Sequence, residues 1–282
     1  MKLVRFGAPG AEKPGLVDAD GTIRDVSAHV SDFDGANLSP AALDKLRKLE
    51  LKSLPAVPAG VRLGSPVARP SNFIAVGLNY EDHARETNSP IPAEPILFNK
   101  LANCIVGPND EVMMPKGAKK LDWEVELAFV IGTRARYVSE ADALKYVAGY
   151  AICNDVSERH FQIERGGQWM KGKCFETSGP LGPWLVTSDE AGDIQNLSMW
   201  LDVNGKRMQT GSTKTMIFSI QHLVHYISQF MVLEPGDVVT TGTPPGVGLG
   251  MKPEVYLNVG DVMKLHIQGL GEQSQKVIAC DA

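Results

Sequence analysis

The sequence is poor in cysteine and has no long apolar segment. Its 282 residues contain four widely separated cysteines, none in a C-x-x-C pair: Cys104, Cys153, Cys174 and Cys280. This spacing indicates neither a zinc ribbon nor a disulfide framework, and we expect free thiols in a reducing cytoplasm. The longest apolar runs, such as residues 147–153, are far shorter than the roughly 20 residues of a membrane-spanning helix. The first six residues show no small-residue cleavage site, so no secretory signal is predicted.

The sequence also lacks any block of basic residues. It has 28 Lys and Arg against 33 Asp and Glu, a net charge of -5 and a pI near 5.7. These values make nucleic acid and anionic membranes poor candidates as partners. The loop Thr240–Gly246 lacks the G-K-[ST] of a phosphate-binding loop, which disfavours nucleotides, although its free N–H groups suit a carboxylate. With 43% hydrophobic and 22% charged residues, the composition is that of an ordinary globular protein.

Turn and proline signals divide the chain into three parts. Residues 1–60 form a small α+β unit, with strands predicted at 2–6, 15–17 and 22–26. Ser39 before Pro40 is typical of a helix N-cap and predicts a helix to about Leu51. Four prolines between 55 and 70 indicate a linker at 61–71, followed by a catalytic domain over 72–282.

The catalytic part is richer in strand patterns than in helices. Strands are predicted at 72–77, 123–132, 150–154, 199–203, 237–241 and 261–267. Ser139 with Asp142 indicates a capping box and a helix that ends near Gly149. A second helix follows from apolar residues at helical spacing: Ile220, Leu223, Val224 and Ile227. Without regular βα alternation, the pattern predicts a β-dominated α+β fold.

The segment Asp122–Val130 contains two glutamates two residues apart. On a strand, Glu124 and Glu126 share one face, and the opposite face is wholly apolar. Adjacent buried carboxylates repel each other unless a cation compensates them, as a hard divalent ion would. The alternative is an ordinary solvated strand face.

Asp155 follows an apolar run and is a candidate third ligand. An acid at the end of a buried strand is well placed to supply an oxygen; alternatively, it is a turn or N-cap aspartate. Three carboxylates without cysteine or suitably spaced histidine partners favour Mg²⁺ or Mn²⁺ over zinc.

His83 and Glu86 form an H-x-x-E pair. Spacing of three places both on one face of a helical turn, where the carboxylate fixes the imidazole tautomer and raises its basicity. Such a pair suits activation of water; the alternative is an exposed helical pair. Residues 87–95 form either a lid or an ordinary surface loop.

Lys173 stands among apolar and glycine residues before the segment Gly179–Pro183. It is a candidate to anchor a carboxylate or polarise a carbonyl, or else a surface charge. His222 and His225 have no nearby acid and are interpreted as solvated helix residues.

Several motifs in this order resemble the fumarylacetoacetate hydrolase family. They are Asn79-Tyr80-x-x-His83-x-x-Glu86, Trp123-Glu124-x-Glu126-Leu127, Asn154-Asp155-Val156-Ser157-x-Arg159-x-x-Gln162, Lys173 before Gly179-Pro180-Leu181-Gly182-Pro183, and Thr241-Gly242-Thr243-Pro244-x-Gly246-Val247-Gly248. The resemblance covers about residues 72–280, and the N-terminal unit is similar to the short extra domain of many members.

The resemblance implies a mixed β-sandwich roll, a homodimer, and a small 2-oxo acid as substrate. It implies that Glu124, Glu126 and Asp155 hold Mg²⁺ or Mn²⁺, and that His83 and Glu86 activate water. Lys173 would act on the substrate, with contacts expected from Tyr80, Arg159, Gln162, Gly242 and Thr243.

Within the family, the chain is most similar to bacterial hydrolases of 2,4-diketo-3-deoxy sugar acids from L-rhamnonate or L-fuconate. Two departures concern the substrate: Glu176 stands where aspartate is common, and Ser178 where phenylalanine is frequent. The expected reaction is hydrolysis of the C3–C4 bond of a 2,4-dioxo acid to pyruvate and a hydroxy acid such as L-lactate. Alternatives on the same scaffold are ureidoglycolate cleavage, oxo-acid decarboxylation, acylpyruvate or fumarylpyruvate hydrolysis, and sugar-acid dehydration. A non-catalytic ligand-binding protein is the alternative of another class.

Overall fold

The computed structural model describes residues 1–280. Its strands are β1 (Lys2–Phe6), β2 (Lys13–Val17), β3 (Ile23–Asp25), β4 (Leu63–Gly64), β5 (Phe73–Gly77), β6 (Ile96–Lys100), β7 (Ile105–Val106), β8 (Val112–Met114), β9 (Leu121–Asp122), β10 (Val125–Ile131), β11 (Val147–Asn154), β12 (Ser157–Glu158), β13 (Gly179–Thr187), β14 (Ser198–Val203), β15 (Lys206–Ser212), β16 (Val238–Thr240), β17 (Val262–Ile267) and β18 (Gly271–Ala279). The α-helices are α1 (Pro40–Arg47), α2 (Glu81–Glu86), α3 (Arg159–Ile163), α4 (Met170–Lys173) and α5 (Ile220–Phe230). Short 3₁₀ helices lie at Gly35–Asn37, Leu51–Ser53, Ala102–Cys104, Glu140–Tyr146, Thr213–Thr215 and Gly248–Gly250.

One large mixed sheet runs through the molecule in the order β3-β2-β1-β13-β11-β10-β16-β5-β6. Strands β10 and β11 are central and antiparallel, and β10 is buried at every residue. Strand β16 pairs antiparallel with β10 and parallel with β5. Because β5 leads into α2, this arrangement brings the helix of His83 beside the start of β10.

A second sheet, in the order β15-β14-β17-β18-β8, packs against one face of the first. Apolar side chains of β10 point alternately to two core clusters, as the period of two in a strand requires. Val125, Leu127 and Phe129 belong to the cluster shared with α5 and the second sheet. Ala128 and Val130 belong to the cluster on the opposite face. The molecule is therefore a β-dominated α+β sandwich, as predicted.

The N-terminal strands extend the large sheet. Strand β1 pairs with β13, where Leu3 lies opposite Leu185, and β4 pairs with β1. Leu3 and Phe33 are fully buried in the same core cluster as Ala128 and Val130 of β10. The first 60 residues are thus joined to the rest by both hydrogen bonds and packing, while the division at 61–71 stays a prediction.

All nine predicted strands are present, the first with the predicted ends and the others with ends shifted by up to three residues. The helix after Ser39 is also confirmed, because the Ser39 hydroxyl accepts from the Ala42 N–H and Pro40 follows it. Its predicted end at Leu51 is wrong: it stops at Arg47, and the Lys48 N–H bonds to the Lys45 carbonyl in a tighter turn.

The helix predicted between Ser139 and Gly149 is wrong in type and in length. Residues Glu140–Tyr146 form a 3₁₀ helix, and the Ser139 hydroxyl donates to the Asp142 carboxylate instead of capping the backbone. Strand β11 begins at Val147, since pairing with β10 takes up this segment. In contrast, the apolar stripe of α5 is buried as predicted. Within residues 1–280, no helix is long and apolar enough to cross a membrane.

Candidate metal centre and active site

Three carboxylates meet where β10 begins and β11 ends. Glu124 directly precedes β10, Glu126 lies within it and Asp155 directly follows β11. The antiparallel pairing of Val125 with Asn154 brings these positions together. All three side chains are buried, and one oxygen of each lies within 4.8 Å of the others. The alternative of a solvated strand face is therefore wrong. The N-cap alternative for Asp155 is also wrong, because Glu158 caps α3.

Two lysines and an arginine compensate part of this negative charge. The Lys173 Nζ lies 2.5 Å from Glu124 Oε2 and 2.6 Å from Asp155 Oδ2. The Arg159 Nη2 donates to Glu124 Oε1 at 2.6 Å, and its Nε donates to Asp122 at 2.8 Å. Burial opposes the charge on Glu124, but Arg159 and Lys173 outweigh it and hold the pKa of Glu124 below its usual range.

Glu126 has no ion pair within the described part of the chain. Its Oε2 accepts a hydrogen bond of 2.9 Å from the Gly242 N–H. Burial, followed by repulsion from Asp155 and Glu124, raises the pKa of Glu126 well above its usual value. Gly242 has a φ of +88°, which favours glycine, and it turns the backbone so that this N–H faces the carboxylate. The site therefore retains one uncompensated buried acid.

These residues fit a divalent metal ion. The donor set consists of oxygen only, as Mg²⁺ and Mn²⁺ prefer. A bound cation would remove the repulsion that raises the pKa of Glu126. Glu124, Glu126 and Asp155 are the residues that would hold it.

Lys100 is a site residue that the sequence analysis missed. It ends β6, is 1% exposed, and its Nζ lies 2.7 Å from Asp155 Oδ1. The same Nζ donates to the Lys173 carbonyl at 2.5 Å. Burial opposes its charge, but Asp155 outweighs burial and raises the pKa of Lys100. The sequence signal was a lysine that ends an otherwise apolar strand.

His83 and Glu86 lie on α2 and form the predicted pair. The His83 Nδ1 is 3.0 Å from Glu86 Oε2, and His83 is only 7% exposed, so the alternative of an exposed pair is wrong. Glu86 Oε1 accepts from the Gly246 N–H at 2.8 Å, which fixes the carboxylate from its other side. The helix and the loop after β16 thus hold the imidazole in one orientation.

One cavity of about 180 Å³ collects these groups. This volume lies below the roughly 300 Å³ of pockets for drug-sized ligands and suits a small metabolite. Most of the predicted site residues line it: His83, Glu124, Glu126, Asp155, Arg159, Gln162, Lys173, Gly242 and Thr243. Glu86 stands behind His83.

Two predicted substrate contacts have other partners in the structure. Tyr80 is fully buried outside the cavity lining, and its hydroxyl donates to Met199 Sδ at 3.4 Å. Thr243 lines the cavity, but its hydroxyl donates to the Val125 carbonyl and accepts from Gln209. His222 and His225 lie on α5, are half-buried, and are outside the cavity lining.

A β-sandwich with a buried acidic cluster and an imidazole–carboxylate pair in one cavity defines an enzyme scaffold able to hold a divalent metal. Comparisons with known proteins specify it further. Residues 72–278 match the model of the fumarylacetoacetate (FAA) hydrolase C-terminal domain. The chain belongs to the fumarylacetoacetate hydrolase family.

Relatives and solved structures match this chain over nearly its whole length. A Burkholderia multivorans protein, provisionally named a hydrolase, is 57% identical over 98% of both chains. The fumarylacetoacetate hydrolase of Exiguobacterium antarcticum is 38% identical with a TM-score of 0.86, covering 99% of this chain and all of that one. The maleylpyruvate hydrolase of Sphingobium sp. SYK-6, solved with manganese (II) and pyruvate, is 29% identical with a TM-score of 0.84 over 100% of both chains.

Proposed function

We propose that the protein hydrolyses the C3–C4 bond of a 2,4-dioxo acid and releases pyruvate. The observation that carries this proposal is the buried His83–Glu86 pair in the same cavity as the three carboxylates. A base that lines the same cavity as an acidic cluster able to hold a metal suits the activation of water. The complex of the related maleylpyruvate hydrolase with manganese and pyruvate supports the same product.

The residues can perform each proton step of this reaction. His83, oriented by Glu86, accepts a proton from water, and the resulting hydroxide adds to the C4 carbonyl. The C3–C4 bond then breaks, C4 becomes the carboxylate of the second product, and the electron pair remains on C3 as the enolate of pyruvate. His83 returns its proton to C3, and the new carboxylic acid releases its proton to solvent, which completes the reaction. A divalent cation held by the acidic cluster supplies Lewis-acid stabilisation of anionic oxygens.

Lys173 is the candidate to stabilise the enolate. Its ammonium group is buried at the cavity floor between Glu124 and Asp155. A cation fixed in a site of low dielectric stabilises negative charge that develops in the transition state. The resemblance to sugar-acid hydrolases favours 2,4-diketo-3-deoxy-L-rhamnonate or L-fuconate as the substrate, with L-lactate as the second product. We also propose that the protein works in the cytoplasm as a homodimer.

The proposal is tested by pyruvate release coupled to lactate dehydrogenase, with Mg²⁺ or Mn²⁺ and with EDTA. Metal-dependent release of pyruvate is expected from this substrate, for which the two names describe one compound, because C5 is its only stereocentre and has the same configuration in both sugar acids. Replacement of His83 by alanine should lower turnover by about 10²–10⁴-fold, while Mn²⁺ affinity measured by calorimetry stays unchanged. Unchanged turnover in His83→Ala would exclude the water-activating role, and oxaloacetate decarboxylation that survives in this variant would favour a decarboxylase.

A further inference from the structure

Part of the cavity lining is apolar, and we call its residues the apolar wall. It begins beside Lys173, whose Nζ lies 5.3 Å from the centre of the Phe98 ring. The Trp169 ring follows, 5.4 Å from Phe98 in an edge-to-face contact at 68°. The apolar wall also includes Leu78, Ile163, Val247 and Leu249, which line the same cavity. The wall therefore extends from the charged floor toward the half-buried Trp169.

The position of Trp169 depends on Gly77 at the end of β5. A Cβ on Gly77 would lie 2.5 Å from Cζ3 of the Trp169 ring. Because no side chain fits there, the indole packs directly against the end of the strand. The apolar wall is thus held by backbone shape as well as by the contact with Phe98.

The cationic side chains that line the cavity all have acidic partners. Lys173 bridges Glu124 and Asp155, and His83 contacts Glu86. Arg159 uses its three nitrogens on Asp122, Glu124 and Gln162. All of these contacts lie at the floor or on α2. Among the described residues that line the cavity, no further cation faces the apolar wall.

We infer that the acyl end of the substrate is uncharged and that Phe98, Trp169 and Ile163 select it. This inference rests on the proposed C–C hydrolysis and specifies its substrate class: 2,4-dioxo acids with one carboxylate, bound at the floor, and a short neutral chain along the wall. A second carboxylate at the far end would lose its hydration without gaining a cationic partner. Maleylpyruvate, named for one relative, carries a carboxylate at each end and belongs to the rejected class.

The test uses two substrates that differ only at the far end, 2,4-dioxoheptanoate and 2,4-dioxoheptanedioate. With Mn²⁺, kcat/KM for pyruvate release should be at least about 30-fold higher for the monoacid, since leaving a charged group without a partner is costly. An equal or higher value for the dioate would overturn the inference but leave C–C hydrolysis intact.

Measurements of substrate binding test this inference independently of the proposed reaction. Calorimetry on His83→Ala with Mn²⁺ should show tighter binding of the monoacid by a similar factor. If wild type releases no pyruvate from either compound, C–C hydrolysis of these acids fails, and the binding ratio still decides the preference for a neutral end. Equal or tighter binding of the dioate would overturn it.

A charge added to the wall should reverse the preference. Ile163 lines the cavity and is 49% exposed, whereas Met170 is similarly exposed at 44% but lies outside the lining. Ile163→Arg should raise kcat/KM for the dioate relative to the monoacid by about tenfold or more. Met170→Arg, with the same change in net charge, should leave the ratio within about twofold. Equal shifts in both variants, or no shift in Ile163→Arg, would contradict the role of this wall.

Discussion

Glu124, just before β10, and Glu126, within it, are two residues apart, yet their electrostatic environments are opposite. Glu124 is paired with Arg159 and Lys173, whereas Glu126 has no ion pair within residues 1–280. Burial opposes the charge on Glu124, but Arg159 and Lys173 outweigh it and lower the pKa of Glu124, whereas burial and the neighbouring acids raise the pKa of Glu126. Without metal, Glu126 therefore costs stability and Glu124 contributes to it.

In EDTA at pH 7, we expect Glu126→Gln to raise the free energy of unfolding by about 1–4 kcal/mol, because it removes an uncompensated buried charge. A raised pKa in the folded state penalises folding increasingly as pH rises above the unfolded pKa of about 4.3. The increase in the free energy of unfolding, measured by urea denaturation, should therefore grow from pH 5 to pH 8. Mn²⁺ should no longer stabilise the variant.

The matched substitution Glu124→Gln should have the opposite effect and lower the free energy of unfolding. It removes one of the two acidic partners of Arg159 and of Lys173, which keep Asp122 and Asp155, and loss of one member of a buried pair costs up to about 3–5 kcal/mol. Equal effects of the two substitutions in EDTA would contradict the assignment of Glu126 as the unpaired acid.

Lys100 supports Asp155 from outside the cavity lining. Lys100→Met keeps a long, unbranched side chain but removes the charge beside Asp155 Oδ1. Loss of such a supporting contact typically lowers metal affinity by about 10–100-fold. Calorimetry with Mn²⁺ measures this effect, and Lys119→Met, outside the cavity, serves as the control. An affinity equal to that of wild type would show that Lys173 and Arg159 suffice to hold the cluster.

At the scale of elements, α2 and the loop after β16 depend on each other. Glu86 bridges His83 and the Gly246 N–H, and a Cβ on Gly250 would lie 2.6 Å from Glu86 Cδ. The short 3₁₀ helix Gly248–Gly250 therefore limits where the Glu86 carboxylate can lie.

Gly250→Ala should push Glu86 away from His83 and lower kcat by about 10-fold or more, since a misplaced base loses most of its contribution. Mn²⁺ affinity should stay within about twofold. The control is a double-mutant cycle: in a Glu86→Ala background, Gly250→Ala should cost little more. Additive losses in the cycle would indicate that Gly250 acts through another contact.

The sequence predicted elements best where packing and local preference agree. The stripe of α5 and the apolar alternation of β10 are both strong local signals and were confirmed. The segment after Ser139 was misassigned because its helical signals are local, whereas pairing of Val147 with Ile131 is a long-range contact. Strand pairing outweighs an N-cap signal worth about 1 kcal/mol.

At the scale of the whole molecule, the N-terminal unit and the catalytic part share a sheet and a core. Leu3 on β1 is fully buried and lies opposite Leu185 of β13. We therefore expect calorimetry to show one unfolding transition for the whole chain. Leu3→Ala should lower its free energy of unfolding by about 2–5 kcal/mol, because it leaves a cavity in the shared core.

The exposed Leu144 offers a control, since Leu144→Ala at 41% exposure should cost far less. A separate early transition that Leu3→Ala alone shifts would show that the N-terminal unit unfolds by itself.

The sequence alone identified the family from the order of its motifs, and this resemblance implied the acidic cluster and the histidine–glutamate pair, for which local spacing by itself left alternatives open. Only the tertiary structure decided which acid is compensated, since Arg159, Lys173 and Lys100 reach the cluster from α3, α4 and β6, far apart in the chain. It likewise placed Tyr80 in the core and joined Phe98 to Trp169 in an apolar wall. The charge balance of the cluster and the shape of the cavity depend on contacts between residues far apart in the chain, which the local spacing of residue types does not predict.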